Sequence, residues 1–166
     1  MDDIAIRLEV PRIEDGGAVH ELIRRSPPLD LNSAYNYFLL CSHFAQTCVV
    51  GRSAEGEVLS FLSAYRQPQA PETLFIWQVA VDARLRGRGM AGRMLEEVLG
   101  REAVRGVHYL ETTVSPSNTA SRRVFERFAA GRSAGWHEEE FLSREIFGEE
   151  SHEEEILFRI GPLDCI

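Results

Sequence analysis

The stretch Arg84-Leu85-Arg86-Gly87-Arg88-Gly89-Met90-Ala91 constrains this chain more than any other. It follows the apolar run Leu74-Phe75-Ile76-Trp77-Gln78-Val79-Ala80-Val81. It opens a pattern with apolar residues at Met90, Ala91, Met94, Leu95, Val98 and Leu99, the spacing of one helix face. The order is therefore strand, short glycine turn, helix. Such a turn aims several main-chain N–H groups at one point, with the positive end of the helix dipole behind them. Gly87 and Gly89 let a bulky anion approach the backbone, and Arg84, Arg86 and Arg88 add long-range attraction. A phosphate or pyrophosphate is the expected ligand; the competing reading is a tight structural turn on a basic surface.

Other phosphate-binding turns fit less well. A P-loop requires Gly-x-x-x-x-Gly-Lys followed by Ser or Thr, a string the chain lacks. A dinucleotide-binding turn belongs after the first strand of a βαβ unit near the start of a domain. Here several strand-like segments come first.

The chain's 166 residues predict a single domain, 1–166, able to bury a core without staples. A net charge of −8 argues against a nucleic-acid partner, because phosphate backbones reward a basic surface. Five of the 18 basic residues nevertheless fall between Arg84 and Arg101, a basic patch in an acidic body. The acidic surplus lies late, at 138–140 and 149–155, and reads either as a rim for a cationic substrate or as a solvated face. Cysteines at 41, 48 and 165 make no disulfide framework, and Cys41, His43 and Cys48 lack the paired spacing of a metal site, so no metal is expected. No secretory signal or membrane-spanning run is present, which predicts a cytoplasmic protein with reduced thiols and no membrane partner.

Ile6, Leu8 and Val10 alternate as in a half-buried strand. Ala18, Val19, Leu22 and Ile23 recur at helical spacing behind Asp15, a candidate cap, and Pro27-Pro28 ends that helix. Asn32-Ser33 opens a second helix with Tyr35, Phe38, Leu39, Cys41 and Phe44. Residues 47–51 and 58–65 read as a hairpin, and a loop at 67–72 leads into the strand at 74–81. After the helix at 88–105 come a strand at 107–114 and a helix from Ser117 or Asn118 burying Ala120, Val124, Phe125 and Phe128. Strands around 135–142 and 156–160 finish the chain. The fold class is α/β, with strands on either side of the 88–105 helix parallel and joined by a right-handed crossover.

The spacing Arg-x-x-Gly-x-Gly, followed by a small residue, resembles the coenzyme A loop of the GNAT N-acetyltransferases, and the element order resembles their fold over roughly residues 5–160. That implies a mixed central sheet of about seven strands flanked by helices. A second motif, Asn118-Thr119-Ala120-Ser121-Arg122-Arg123-Val124-Phe125, supports the resemblance. Longer segments are similar to the diaminobutyrate acetyltransferases of ectoine biosynthesis: 27–37, Cys41-Ser42-His43-Phe44, 74–81 and 110–121. That family moves an acetyl group from acetyl-CoA to the 4-amino group of L-2,4-diaminobutyrate, a step toward an osmoprotectant. The resemblance further implies a homodimer.

The resemblance assigns coenzyme contacts to Val79, Ala80 and Val81 on the strand, to Arg86, Gly87, Arg88, Gly89, Met90 and Ala91 in the turn, and to Asn118 and Ser121. Asn118 is also a good helix cap in its own right. Phe125 stands where the family often carries a tyrosine that protonates the departing thiolate, and a phenyl ring has no proton to give. The thiolate then leaves unassisted, its conjugate acid having a pKa near 8.5, or another group serves.

Acetyl transfer needs a neutral amine about 3 Å from the carbonyl carbon and donors aimed at the developing oxyanion. An aliphatic ammonium, with a pKa near 10, must first lose a proton. The substrate's remaining charges require fixed partners. Asp30 and Asn32 precede the second helix, and Glu111 lies in a central strand where an unpaired carboxylate is costly; it either pairs with an arginine or acts on the substrate. Trp77 is a pocket wall against an ammonium or a core residue. Tyr35 donates to the substrate or packs beneath its helix. His152 and Glu154 alternate on a strand-like face; His152 relays a proton or is a surface histidine. Glu111, Trp77, His152 and Tyr35 are the catalytic candidates. Asp30, Asn32, Tyr35, Trp77, Glu111, His152 and Glu154 are the substrate-binding ones. The alternatives are another small amine or a peptide N-terminus as acceptor, or a coenzyme-binding regulator without turnover.

Overall fold

The computed structural model describes residues 4–148 and 152–164. Its strands are β1 (Ile6–Glu9), β2 (Val49–Ser53), β3 (Val58–Gln67), β4 (Ala70–Val81), β5 (Tyr109–Val114), β6 (Trp136–Leu142) and β7 (Glu155–Ile160). The helices are α1 (Gly16–Arg24), α2 (Ala34–Leu40), α3 (Met90–Leu99) and α4 (Thr119–Gly131). The strands hydrogen-bond in the order β1-β2-β3-β4-β5-β7-β6. β4 and β5 run parallel, as the intervening helix requires, and the pairs β1–β2, β2–β3, β5–β7 and β6–β7 are antiparallel. The sheet is the mixed one expected of the α/β class. The chain divides into two compact units, Met1–Tyr65 with Trp77–Arg105, and Arg66–Ile76 with Gly106–Ile166.

In the first unit the amphipathic spacing of α1 and α2 places Val19, Leu22, Ile23, Tyr37 and Leu40 in one cluster with Val50, Phe61 and Ala80. α3 buries Met90, Met94, Leu95, Val98 and Leu99, one stripe at helical period. Each such side chain contributes roughly 1.5–3 kcal/mol by leaving water. Beyond its C-terminus the Arg101 guanidinium donates to the carbonyls of Gln46 (3.2 Å) and Cys48 (2.5 Å), tying α3 to the entry of β2.

In the second unit β5 lies between the Thr73–Ile76 part of β4 and β7, with Glu111 opposite Phe75 on one side and Arg159 on the other. α4 buries Phe125, Phe128 and Ala129. The Phe125 ring centre is 6.4 Å from that of Phe158, on whose ring Trp136 stacks at 4.4 Å.

Several sequence expectations are corrected. The expected loop at 67–72 shrinks to Pro68-Gln69, because β4 starts at Ala70 and carries Pro71 within it. Two residues between neighbouring strands make a hairpin. The helix expected over 88–105 is α3 alone, stopped at Gly100 and followed by a separate turn at Glu102–Val104. Cys41 and Phe44 lie past the end of α2. Ala120 is exposed and Val124 only half-buried; Ala129 takes the buried place, since α4 begins at Thr119 with its inward stripe through Phe125. Asp15 does not cap α1. It ends a tight turn, where its carboxylate accepts from the Arg12 main-chain N–H (2.8 Å) and from Arg52 (2.8 Å). Cys165 and Glu149–Ser151 lie outside the described residues. Among the described residues no helix is long and apolar enough to cross a membrane.

Candidate active site

β4 ends at Val81, and the Asp82 carboxylate accepts from the Arg84 N–H (3.0 Å) to start a single tight turn over Ala83–Leu85. Leu85 is buried and anchors that turn, whereas residues 86–89 are exposed. Gly87 and Gly89 both have φ near 73°, the left-handed region that costs other residues roughly 1–2 kcal/mol. A Cβ at either position would meet nothing within 4 Å, so the backbone angle demands glycine here, and the space beside it is open to a bulky anion. The Arg93 N–H makes a helical bond to the Gly89 carbonyl (3.0 Å). The N–H groups of Met90, Ala91 and Gly92 precede it and have no partner within the helix. Together with the positive-φ glycines this is the geometry that an anion cradle requires, at the place where the sequence led one to be expected.

The arginines divide their work differently than expected. Arg84 does not serve the cradle: it donates to Asp82 (2.8 Å) and to Glu57 (2.7 Å), and these carboxylates raise its pKa. In return the Arg84 hydrogen bonds outweigh burial and lower the Asp82 carboxyl to about 2. Arg86 donates through Nε to the carbonyl of Val81 (3.1 Å), bracing the turn against the end of β4.

Upstream on β4, Trp77 is 41% exposed, which removes the core reading and keeps the pocket-wall one. Tyr35, in the first turn of α2, is 70% exposed and does not pack beneath its helix. Asp30 is exposed and Asn32 half-buried in the segment before α2. Gln78, which sequence reasoning passed over, is buried on the face of β4 opposite Trp77. Its Nε2 donates to the Asp30 carbonyl (2.7 Å), and its Oε1 accepts from the Tyr37 hydroxyl (3.2 Å). That hydroxyl accepts from the Asn32 N–H (3.3 Å). The Gln78 main-chain N–H donates to the Ser63 hydroxyl (3.1 Å).

In the second unit Glu111 is 5% exposed and ion-paired with Arg159, whose guanidinium lies 3.9 Å from the Tyr109 ring centre. The arginine pairing left open by the sequence is thus present; Arg159 was missed because nothing local announces a partner 48 residues away. His152 and Glu154 precede β7 and lie on no strand, a correction that follows from the strand starting at Glu155. The His152 Nδ1 is 2.7 Å from the Glu153 carbonyl, and its ring stacks on Phe147 at 4.2 Å. A carbonyl can only accept, so Nδ1 carries a hydrogen in this contact. Glu153 accepts from the Ser117 N–H (3.1 Å), which lowers its pKa and fixes the turn before α4.

Asn118 caps α4 by accepting from the Ser121 N–H (3.2 Å). The cap occupies its oxygen and the main-chain N–H of Ser121, and the Asn118 amide donors take no part in that bond. Phe125 is 3% exposed, a core residue. Burial pushes the Cys41 and Cys48 thiols up to about 12, which keeps both neutral and unreactive. Among the described residues no group of three or more His, Cys, Asp or Glu is placed to hold a metal ion.

A family model, the acetyltransferase (GNAT) family, matches residues 17–130. The chain is 50% identical over 93% of its length to an L-2,4-diaminobutyric acid acetyltransferase of Bordetella parapertussis, 83% of which is covered. It is 44% identical over 96% to one of Streptomyces coelicolor, covering 95% of that protein. Its fold matches the solved diaminobutyrate acetyltransferase EctA from Paenibacillus lautus, bound to its substrate L-2,4-diaminobutyric acid and coenzyme A. That match has a TM-score of 0.93 and 43% identity, and covers 99% of each chain. The S18-alanine N-acetyltransferase of Escherichia coli shares the fold at a TM-score of 0.69 and 16% identity. Fold, glycine cradle and relatives agree: the chain belongs to the GNAT acetyltransferase family and, within it, to the L-2,4-diaminobutyric acid acetyltransferases.

Proposed function

We propose that this protein transfers the acetyl group of acetyl-CoA to the 4-amino group of L-2,4-diaminobutyrate, releasing N4-acetyl-L-2,4-diaminobutyrate and coenzyme A. The observation that carries this reading is 43% identity, over essentially the whole chain, to an enzyme solved with diaminobutyrate and coenzyme A bound. The cradle supports the coenzyme half of it. Main-chain N–H groups of 87–91 receive the diphosphate, Arg86 and Arg88 add charge, and Met90 and Ala91 begin the helix whose dipole favours the anion. Val79, Ala80 and Val81 offer main-chain groups to the pantetheine arm and the acetyl oxygen, and Asn118 with Ser121 complete the coenzyme set.

Asp30, Asn32, Tyr35, Trp77, Glu111, His152 and Glu154 are the proposed acceptor-side residues. The neutral 4-amine attacks the thioester carbon, the oxyanion is held by N–H donors, and the C–S bond breaks as the carbonyl reforms. The amine's proton passes to a basic group, for which His152 is the candidate, and the thiolate takes a proton from solvent because Phe125 offers none.

Residues 1–166 then act as one acetyltransferase domain, in a homodimer in the cytoplasm, on the route to ectoine and osmoprotection. Mass spectrometry of the product from acetyl-CoA and diaminobutyrate tests the reaction: one added acetyl group on the 4-nitrogen is expected. A coupled thiol-release assay across ornithine, lysine and peptides checks the acceptor; equal rates with all of them would point to another small amine.

A further inference from the structure

The Asp30–Asn32 segment has no regular secondary structure of its own, yet it is gripped at two points by one buried pair of side chains. Tyr37 is fully buried and Gln78 is 5% exposed. The direction of every bond is fixed by chemistry. The Asp30 carbonyl can only accept, so the Gln78 amide nitrogen faces it (2.7 Å) and the amide oxygen faces Tyr37 (3.2 Å). The Tyr37 hydroxyl gives its one proton to that oxygen and accepts from the Asn32 N–H (3.3 Å). Turning the amide over would set its oxygen against the Asp30 carbonyl oxygen. Leu29, just before the segment, packs on the same core cluster.

We propose that Gln78, with Tyr37, is a positioning residue that sets the acceptor's reach. The pair fastens the Asp30–Asn32 segment to the strand whose next residues, Val79 to Val81, serve the acetyl group, and so fixes the span between amine recognition and the thioester carbon. This rests on the diaminobutyrate reading above. Gln78 touches no substrate. It acts through the segment it holds and through the side of β4 that Trp77 presents on the opposite face. A side chain with several rotatable bonds is locked because each end of its amide is bonded, so the span is stiff. Stiffness is what selecting one diamine length requires: an acceptor longer by one methylene is otherwise discriminated only weakly.

The test uses the full chain carrying Gln78→Met, which keeps volume and loses both bonds, and Tyr37→Phe, which loses only the hydroxyl. Steady-state kinetics with diaminobutyrate and ornithine are expected to show the diaminobutyrate KM rising at least tenfold in Gln78→Met and less in Tyr37→Phe. The acetyl-CoA KM should change less than twofold, and the preference for diaminobutyrate over ornithine should fall at least fivefold. Equal rises in both KM values, or an unchanged preference, would overturn the proposal. Hydrogen exchange of the amides of residues 30–34 is measured in parallel: faster exchange in both variants is expected, and unchanged protection overturns the clamp whatever the kinetics show. A wild-type protein inactive on diaminobutyrate would defeat the functional reading, and the exchange result would still judge the clamp.

Discussion

Arg159 on β7 stands directly across from Glu111 on β5, and its guanidinium closes on that carboxylate while lying over the Tyr109 ring. Removing one partner of a buried pair costs more than removing both, because the survivor keeps its desolvation penalty. Arg159→Met is therefore expected to lower stability by about 3–5 kcal/mol in urea unfolding. Glu111→Gln/Arg159→Met should cost less than Arg159→Met alone. Single-variant kinetics separate the pair's two uses: Glu111→Gln should lower turnover more than acetyl-CoA affinity, and equal losses would mark the carboxylate as structural only.

The cradle is tested at Gly89. Gly89→Ala places a side chain at a φ near 73° and should cost about 1–2 kcal/mol of stability. Coenzyme affinity should weaken because the N–H groups at the start of α3 lose their aim. Gly89→Trp should abolish coenzyme binding by filling the open side of the turn. Calorimetric titration with coenzyme A reads both, and an unchanged affinity in Gly89→Trp would remove the turn from the binding site.

Asp82 gives a pH signature. Its carboxyl is held at about 2 in the folded protein, against an ordinary 3.8, by Arg84 first and by Arg25 more weakly. A depressed carboxyl stabilises the fold fully above its unfolded pKa, and that stability drains away as pH falls toward 2. Because Arg84 is half exposed, solvent screening trims the contribution to about 1–2 kcal/mol. Asp82→Asn should lose that amount at pH 7, with the gap to wild type closing between about pH 4 and pH 2. A gap constant over that range would show that the pair contributes nothing through charge.

Cys41 and Cys48, buried and with thiols pushed up to about 12, should resist alkylation in the folded protein at pH 8. Peptide mapping after iodoacetamide, with and without denaturant, is expected to find both modified only when the chain is unfolded. Rapid labelling of either in the native state would mean that the core around α2 and β2 opens readily.

The parts legible in the sequence were those written in short-range pattern. The period of α3, the glycine turn and the parallel β4–β5 pair came from residues adjacent in the chain, and the cap at Asn118 from one polar side chain before a helix. The glycine spacing alone was not decisive, because Gly87, Gly89 and Gly92 also satisfy a dinucleotide-binding turn; their place after the fourth strand separates the two. Features set by distant partners stayed hidden. Arg84 looks like part of a cationic loop until Asp82 and Glu57 fold against it. Gln78 reads as one polar interruption in an apolar strand until α2 brings Tyr37 to it, a contact 41 residues long. A glutamine inside an otherwise apolar strand was nonetheless a signal, because a buried amide requires partners.

Among the described residues β6 ends the strand order and pairs with β7 alone, so its outer margin is a sheet edge. Glu138, Glu139 and Glu140 stand in succession along it; Glu138 is ion-paired with Arg122, and Glu139 and Glu140 are exposed. A second such margin drawing near would bring like charges together before any amide found a carbonyl. The protein thus carries its own guard against edge-to-edge polymerisation.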